Sequence, residues 1–251
     1  MRPRLAALCL CLAALVASST IAAPTPEPPR ELAVPAEAGN TQAMVRLGRW
    51  YLAYDNVDPA RELFERSARR DDLDAMLSLY DLWGLQLRRE PDALAQGARW
   101  LGRAKALLQP AAEHGDVAAQ LRLAQVWERD IGNASEAVRW YRAAADGGSS
   151  EAMYALSQRY RLSWGVEADP KEAVAWLTRA GEHGHRAAME DLARRYDTGD
   201  GVPANAGTSA AWAAKAKAAP PSSQVSTTIS VWDFPQSPDV HGVTLRAPDP
   251  R

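Results

Sequence analysis

Gly148-Ser-Ser-Glu-Ala152-Met-Tyr-Ala-Leu156-Ser-Gln-Arg-Tyr160 and, after three residues, Trp164-Gly-Val-Glu-Ala-Asp169-Pro-Lys-Glu-Ala173-Val-Ala-Trp176-Leu-Thr-Arg-Ala180-Gly-Glu-His-Gly184 read as two short amphipathic helices joined by a Gly-containing turn. In the first, Ala152, Met153, Leu156, Ser157 and Tyr160 fall on one stripe at helical period. The second starts on an Asp169 N-cap with Pro170 at its first position, where a missing N–H costs nothing. It turns Ala173, Trp176, Leu177 and Ala180 inward, and Gly181 and Gly184 are expected to end it.

The pattern recurs. Its opening Ala stands at Ala43, Ala75, Ala119, Ala152 and Ala188, at spacings of 32, 44, 33 and 36 residues. Four residues on comes Leu47, Leu79, Leu123, Leu156 or Leu192, and eight on comes Tyr51, Trp83, Trp127, Tyr160 or Tyr196. The residue after the Leu is small in four copies (Gly48, Ala124, Ser157, Ala193) but is Tyr80 in the second, which predicts different packing there. Second-helix rings align at Trp140, Trp176 and Trp212, with Phe64 near the equivalent place in the first copy. These matched copies predict an all-α fold, an α/α superhelical solenoid of about five helical-hairpin repeats.

At these residues the chain resembles the Sel1-like repeat family, relatives of the tetratricopeptide repeats. The resemblance rests on Ala188…Leu192-Ala193…Tyr196…Gly199-Asp-Gly201-Val202, on Gly165-Val166…Asp169…Lys171-Glu-Ala173…Trp176, and on Trp140-Tyr141-Arg-Ala-Ala144-Ala145-Asp-Gly-Gly148. It covers about residues 36–219 and is specific as to fold. Copies one and two lack the Gly-x-Gly-Val turn.

The rest of the chain divides around that array. Residues 1–23 look like a secretory signal peptide: Arg2 and Arg4, an apolar run from Leu5 to Ala17, then small residues. The run is too short for a hydrocarbon core that needs about 20 residues, so no stable membrane span is expected after cleavage, an uncleaved anchor being the alternative. Both cysteines, Cys9 and Cys11, lie in this run, which leaves the mature chain without thiol chemistry or a thiolate metal site. With the Arg- and Ala-rich composition this suggests a bacterial periplasmic or secreted protein. Residues 24–35, rich in proline, read as an extended linker that cannot be helical. The long step between copies two and three predicts a connection over Leu85 to Pro91, then an extended helix from Asp92 to Leu108 that kinks or restarts at Pro110. Residues 220–251 read as a non-helical tail that is disordered, lies back over the last repeat, or adds to a partner as an extended peptide.

Charge is nearly balanced, 29 basic against 31 acidic residues, which argues against nucleic acid as a partner. Of four histidines, His114 and His183 share a slot after a second helix, where a cation suits the helix C-terminus. His183-Gly-His185 offers two imidazoles without a third ligand at a tied spacing, so no metal and no cofactor is expected. There is no His-Glu-x-x-His, Gly-x-Ser-x-Gly or Walker loop, and no catalytic residue is assigned. The acid run Asp71-Asp72-Leu-Asp74 reads as capping.

What remains is surface. Positions two and six after the Ala point away from the apolar stripe: Val45, Leu77, Leu121, Tyr154 and Glu190, then Arg49, Asp81, Gln125, Gln158 and Arg194. Resemblance to tetratricopeptide repeats implies that this face lines a concave groove for peptide ligands. Arg49, Asp81, Gln125, Tyr154, Gln158 and Arg194 are therefore the expected partner-binding residues of a non-enzymatic protein-protein interaction scaffold in the cell envelope. The alternatives are a polysaccharide-binding or export scaffold and, by resemblance to cysteine-rich relatives whose cysteines this chain lacks, a cell-wall or β-lactam hydrolase.

Overall fold

The computed structural model describes residues 26–86 and 91–220. The expectations for residues 1–23 and for the tail beyond Pro220 fall outside that range. Among the described residues the regular structure is helical throughout: α1 (Arg30–Glu37), α2 (Thr41–Ala53), α3 (Val57–Ala68), α4 (Leu73–Gln86), α5 (Ala93–Glu113), α6 (Val117–Glu128), a 3₁₀ turn (Ile131–Asn133), α7 (Ala134–Asp146), α8 (Ser150–Leu162), α9 (Pro170–Glu182), α10 (Arg186–Thr198) and α11 (Ala206–Ala218). From α2 on they pair as five hairpins, and each second helix also packs on the first helix of the next hairpin. The repeated Ala and Leu are all buried, as are Trp140, Trp176, Trp212 and Phe64. Burial of each such Leu contributes about 1.5–3 kcal/mol.

Every first helix starts the same way. A side chain three residues before the repeat Ala accepts a hydrogen bond from that Ala's backbone N–H: Asn40, Asp72 and Asp116 at 2.9 Å, Ser149 and His185 at 3.2 Å. The residue before each cap is left-handed, with φ of 95° at Gly39, 61° at Asp71, 89° at Gly115, 96° at Gly148 and 87° at Gly184. The turn thus reverses the chain and delivers a cap in two residues. Asp72 caps as the acid run implied.

Four expectations need correction. The segment read as an extended linker becomes helical at Arg30, and α1 runs through Pro35. Ala36 is buried there against Ala43, Met44, Leu47 and Leu63, so covering the outer face of the first hairpin outweighs the one donor that Pro35 lacks. Second, α5 neither breaks nor restarts at Pro110 and continues to Glu113. Pro110 is exposed, so only the solvent-side carbonyl of Ala106 loses its donor. Third, Gly181 lies inside α9, where a Cβ would stand 3.0 Å from Leu192 Cδ1 and 3.1 Å from Trp212. It is a close-approach residue, not a terminator. Fourth, Val45 and Leu77 do not face outward and are buried. Both belong to the core shared by the first two hairpins, because neighbouring first helices meet along this column.

The second hairpin packs differently, as Tyr80 implied. In the first hairpin Gly48 admits Phe64; in the second the sizes reverse, and a Cβ on Gly97 of α5 would stand 3.6 Å from the Tyr80 ring and 3.4 Å from Trp83 Cβ. The displaced Tyr80 hydroxyl donates to the Arg129 carbonyl at 2.6 Å, tying the second hairpin to the third.

Candidate protein-interaction face

The first helices α4, α6, α8 and α10 lie side by side, and the side chains singled out at positions two and six sit on or beside the seams between them. From α4 to α6, Asp74 meets Arg122 at 3.6 Å and Asp81 meets Arg129 at 3.3 Å. From α6 to α8, Gln125 Nε2 donates to Glu151 Oε1 at 3.2 Å. From α8 to α10, the Tyr154 ring stacks on His185 with centroids 4.5 Å apart and planes 18° from parallel. Each adjacent pair of these first helices is thus joined by at least one side-chain contact, made at different slots of the repeat along the stack.

Within single helices, Gln158 Oε1 accepts from Arg161 Nε and Nη2 at 3.1 and 2.7 Å, and Arg194 pairs with Asp191, which also meets Arg195 at 3.5 Å. Five of the six expected contact residues therefore have intramolecular partners. Arg49, on α2, lies apart from the seams that join the other five. Asp81 and Arg194 keep much of their side chains in solvent; Arg49, Gln125, Tyr154 and Gln158 are half-buried. Exposed Leu162 extends the face at the end of α8.

The seams shift titrations. Desolvation raises the Glu151 carboxyl above its usual range despite the opposing pull of Arg122 and the Gln125 hydrogen bond. Desolvation, then the Asp191 charge, raises the Tyr154 hydroxyl. Burial lowers the His185 imidazole. Further along α6 and α8, Arg159 of α8 pairs with Glu128 of α6 and lies 3.9 Å over the Trp164 ring, and burial pushes its guanidinium down to about 10. Lys105 lies 3.4 Å over the Trp127 ring and 2.7 Å from Asp130, whose carboxyl that hydrogen bond holds low.

On the second-helix side an open hollow of about 460 Å³ is lined by Ser135, Val138, Arg139, Arg142, Asp146 and Val166. Its arginines are engaged: Arg139 with Glu136 at 2.7 Å and Arg142 with the Tyr160 hydroxyl. Among the described residues no group of three His, Cys, Asp or Glu side chains could hold a metal, and no helix is long and apolar enough to cross a membrane.

The His183-Gly-His185 pair, weighed as a metal half-site, serves two helix ends instead. His183 is the C-cap of α9 and His185 the N-cap of α10. The signal for His185 was present in its spacing from Ala188, the slot of Asn40, Asp72, Asp116 and Ser149. Arg122, Arg129 and Glu151 were missed because their partnerships depend on how one repeat lies on the next.

No curated protein sequence matches the chain. Among solved structures it is similar to a Sel1 repeat protein from Oxalobacter formigenes (29% identity, 45% of this chain and 88% of that one, TM-score 0.41). It is also similar to a protective antigen of uropathogenic Escherichia coli with an SLR fold (28% identity, 74% of this chain and 40% of that one, TM-score 0.43). A third similarity is to an immunity protein from Pseudomonas aeruginosa (16% identity, 74% of this chain and 71% of that one, TM-score 0.44). The Sel1 repeat family model matches residues 41–72, 98–116, 117–149, 150–185 and 186–219, leaving unmatched the helix that carries Tyr80. With more than half its residues in matched repeats, the chain belongs to the Sel1 repeat family.

Proposed function

We propose that this chain is a non-catalytic scaffold of the bacterial cell envelope that holds a protein partner along its first-helix face. Sel1 repeats commonly mediate protein–protein contacts, and the family is generally non-catalytic. The observation that carries the reading is the set of seams Asp74–Arg122, Asp81–Arg129, Gln125–Glu151 and Tyr154–His185. They lock successive first helices together, so a ligand spanning several repeats meets a face already in place and loses less in ordering it. Arg49, Gln158 with Arg161, Leu162 and Arg194 then offer polar and apolar groups on that fixed frame. The envelope location rests on the basic, apolar and small-residue order of residues 1–23.

Photo-crosslinking amino acids placed at Gln158 and Arg194, with a control at exposed Arg139 on α7, test this in intact cells. The expected result is one shared adduct from the first two positions and none from the third, in the periplasmic fraction. Adducts from Arg139 alone would move the contact to the other side of the molecule. Retention in the cytoplasm would remove the envelope assignment.

A further inference from the structure

We propose that His185 makes the junction between the fourth and fifth hairpins a proton-sensitive joint, closed while the imidazole is neutral and loosened when it takes up a proton. Four of the five first helices open on Asn40, Asp72, Asp116 or Ser149, side chains that stay acceptors at mildly acidic pH. Only the fifth opens on a group that titrates near neutrality. Its Nδ1 lies 3.2 Å from the Ala188 nitrogen. A backbone N–H can only donate, so Nδ1 must be the bare acceptor and Nε2 must carry the proton.

Adding a second proton changes three things at once. The cap acceptor becomes a donor aimed at a donor. A positive charge arrives at the positive end of the α10 dipole. The ring stacked on Tyr154 at 4.5 Å becomes a cation that must be desolvated in the seam. Nearby charges do not compensate. Arg161 stands on α8, Glu182 at the end of α9 with His183 as its C-cap, and Arg186, Asp191, Arg194 and Arg195 on α10. Asp191 is already shared by Arg194 and Arg195.

The sign follows from burial lowering the folded-state pKa of His185. Above the ordinary histidine range of about 6.5 the imidazole is neutral in both the closed and opened forms, and pH has no effect. As pH falls through that range the opened form gains a proton that the closed form refuses. Opening then rises by up to about tenfold per pH unit until the closed form protonates too. The fifth hairpin is suited to respond, because it packs on α9 but has no sixth hairpin behind it among the described residues.

Amide hydrogen exchange of the full-length chain, followed from about pH 7.5 to about pH 5 and corrected for intrinsic rate, tests the joint. The expected result is loss of protection at Ala188 and Met189, relative to Ala119 in the Asp116-capped α6, with the slope of one proton. In His185→Asn that relative loss should vanish. An equal loss in wild type and variant would overturn the proposal. Should the variant fail to fold, the ¹⁵N imidazole spectrum of wild type decides: an Nε2–H tautomer titrating below the ordinary range supports the joint, and an Nδ1–H tautomer or an ordinary or raised titration rejects it.

Discussion

A Cβ placed on Gly48 would stand 2.5 Å from Phe64 Cε1, so the first hairpin closes only because α2 presents no side chain at that point. Gly48→Ala should cost about 1–3 kcal/mol, the usual penalty of overpacking, even though Ala is the better helix former. Adding Phe64→Leu should return part of that loss. Urea denaturation of the two variants and the pair checks the coupling; additive losses would mean that the ring simply moves aside.

Trp140 is 7% exposed, belongs to the core joining the last three hairpins, and carries Arg139 4.7 Å over its face. Trp140→Ala should destabilise the array by roughly 3–5 kcal/mol, read from the shift in urea midpoint at unchanged slope.

Arg159 and Glu128 form a mostly enclosed pair between the third and fourth hairpins, with side chains 13% and 23% exposed. Arg159→Leu alone should cost about 2–3 kcal/mol, slightly under the range for a fully buried pair, because it strands the Glu128 carboxylate. The double change with Glu128→Leu should cost less than the single one. A double-mutant cycle by thermal unfolding measures the difference.

Each cap serves its own hairpin. Asp116→Ala should cost about 1 kcal/mol, and it should raise amide exchange in the first turn of α6 before exchange changes elsewhere.

Arg194 is exposed, Arg49 is half-buried, and Gln158 accepts from Arg161 within its own helix. Replacing all three with Ala should leave the unfolding midpoint within about 1 kcal/mol of wild type while removing partner capture. Capture that survives would dismiss this face as the contact.

How much of this could be read from the residues depended on which neighbours decide the outcome. The Ala–Leu–aromatic register and the Asp169–Pro170 start are local, and they stand as read. The proline-rich run ending at Pro35 was read as an extended linker, and Pro110 as a kink because it removes a donor and crowds the preceding turn. One donor is a small loss beside the burial of Ala36, or where the freed carbonyl faces water. Val45 and Leu77 were placed outside by a wheel that gives each helix one packing side. A first helix in a stack has its own partner helix, the preceding second helix and the adjacent first helices, so the column two residues after the Ala closes at Val45 and Leu77 and stays half-buried at Leu121. The position-six column stands half-buried to exposed, as the wheel placed it. Its partners were not legible, since Asp81 meets Arg129, 48 positions away, only because two repeats stack in one register.

Because the left-handed residue and the cap that follows it both precede the helix they start, every hairpin carries its own opening signal. Cuts after Gly115 and after Gly148 would excise a cassette beginning at Asp116 and ending at Gly148, with its own start and a ready junction for the next. Such a cassette can be copied or dropped by recombination in frame, without rewriting the residues on either side. Arrays of this kind can therefore change length faster than they change sequence.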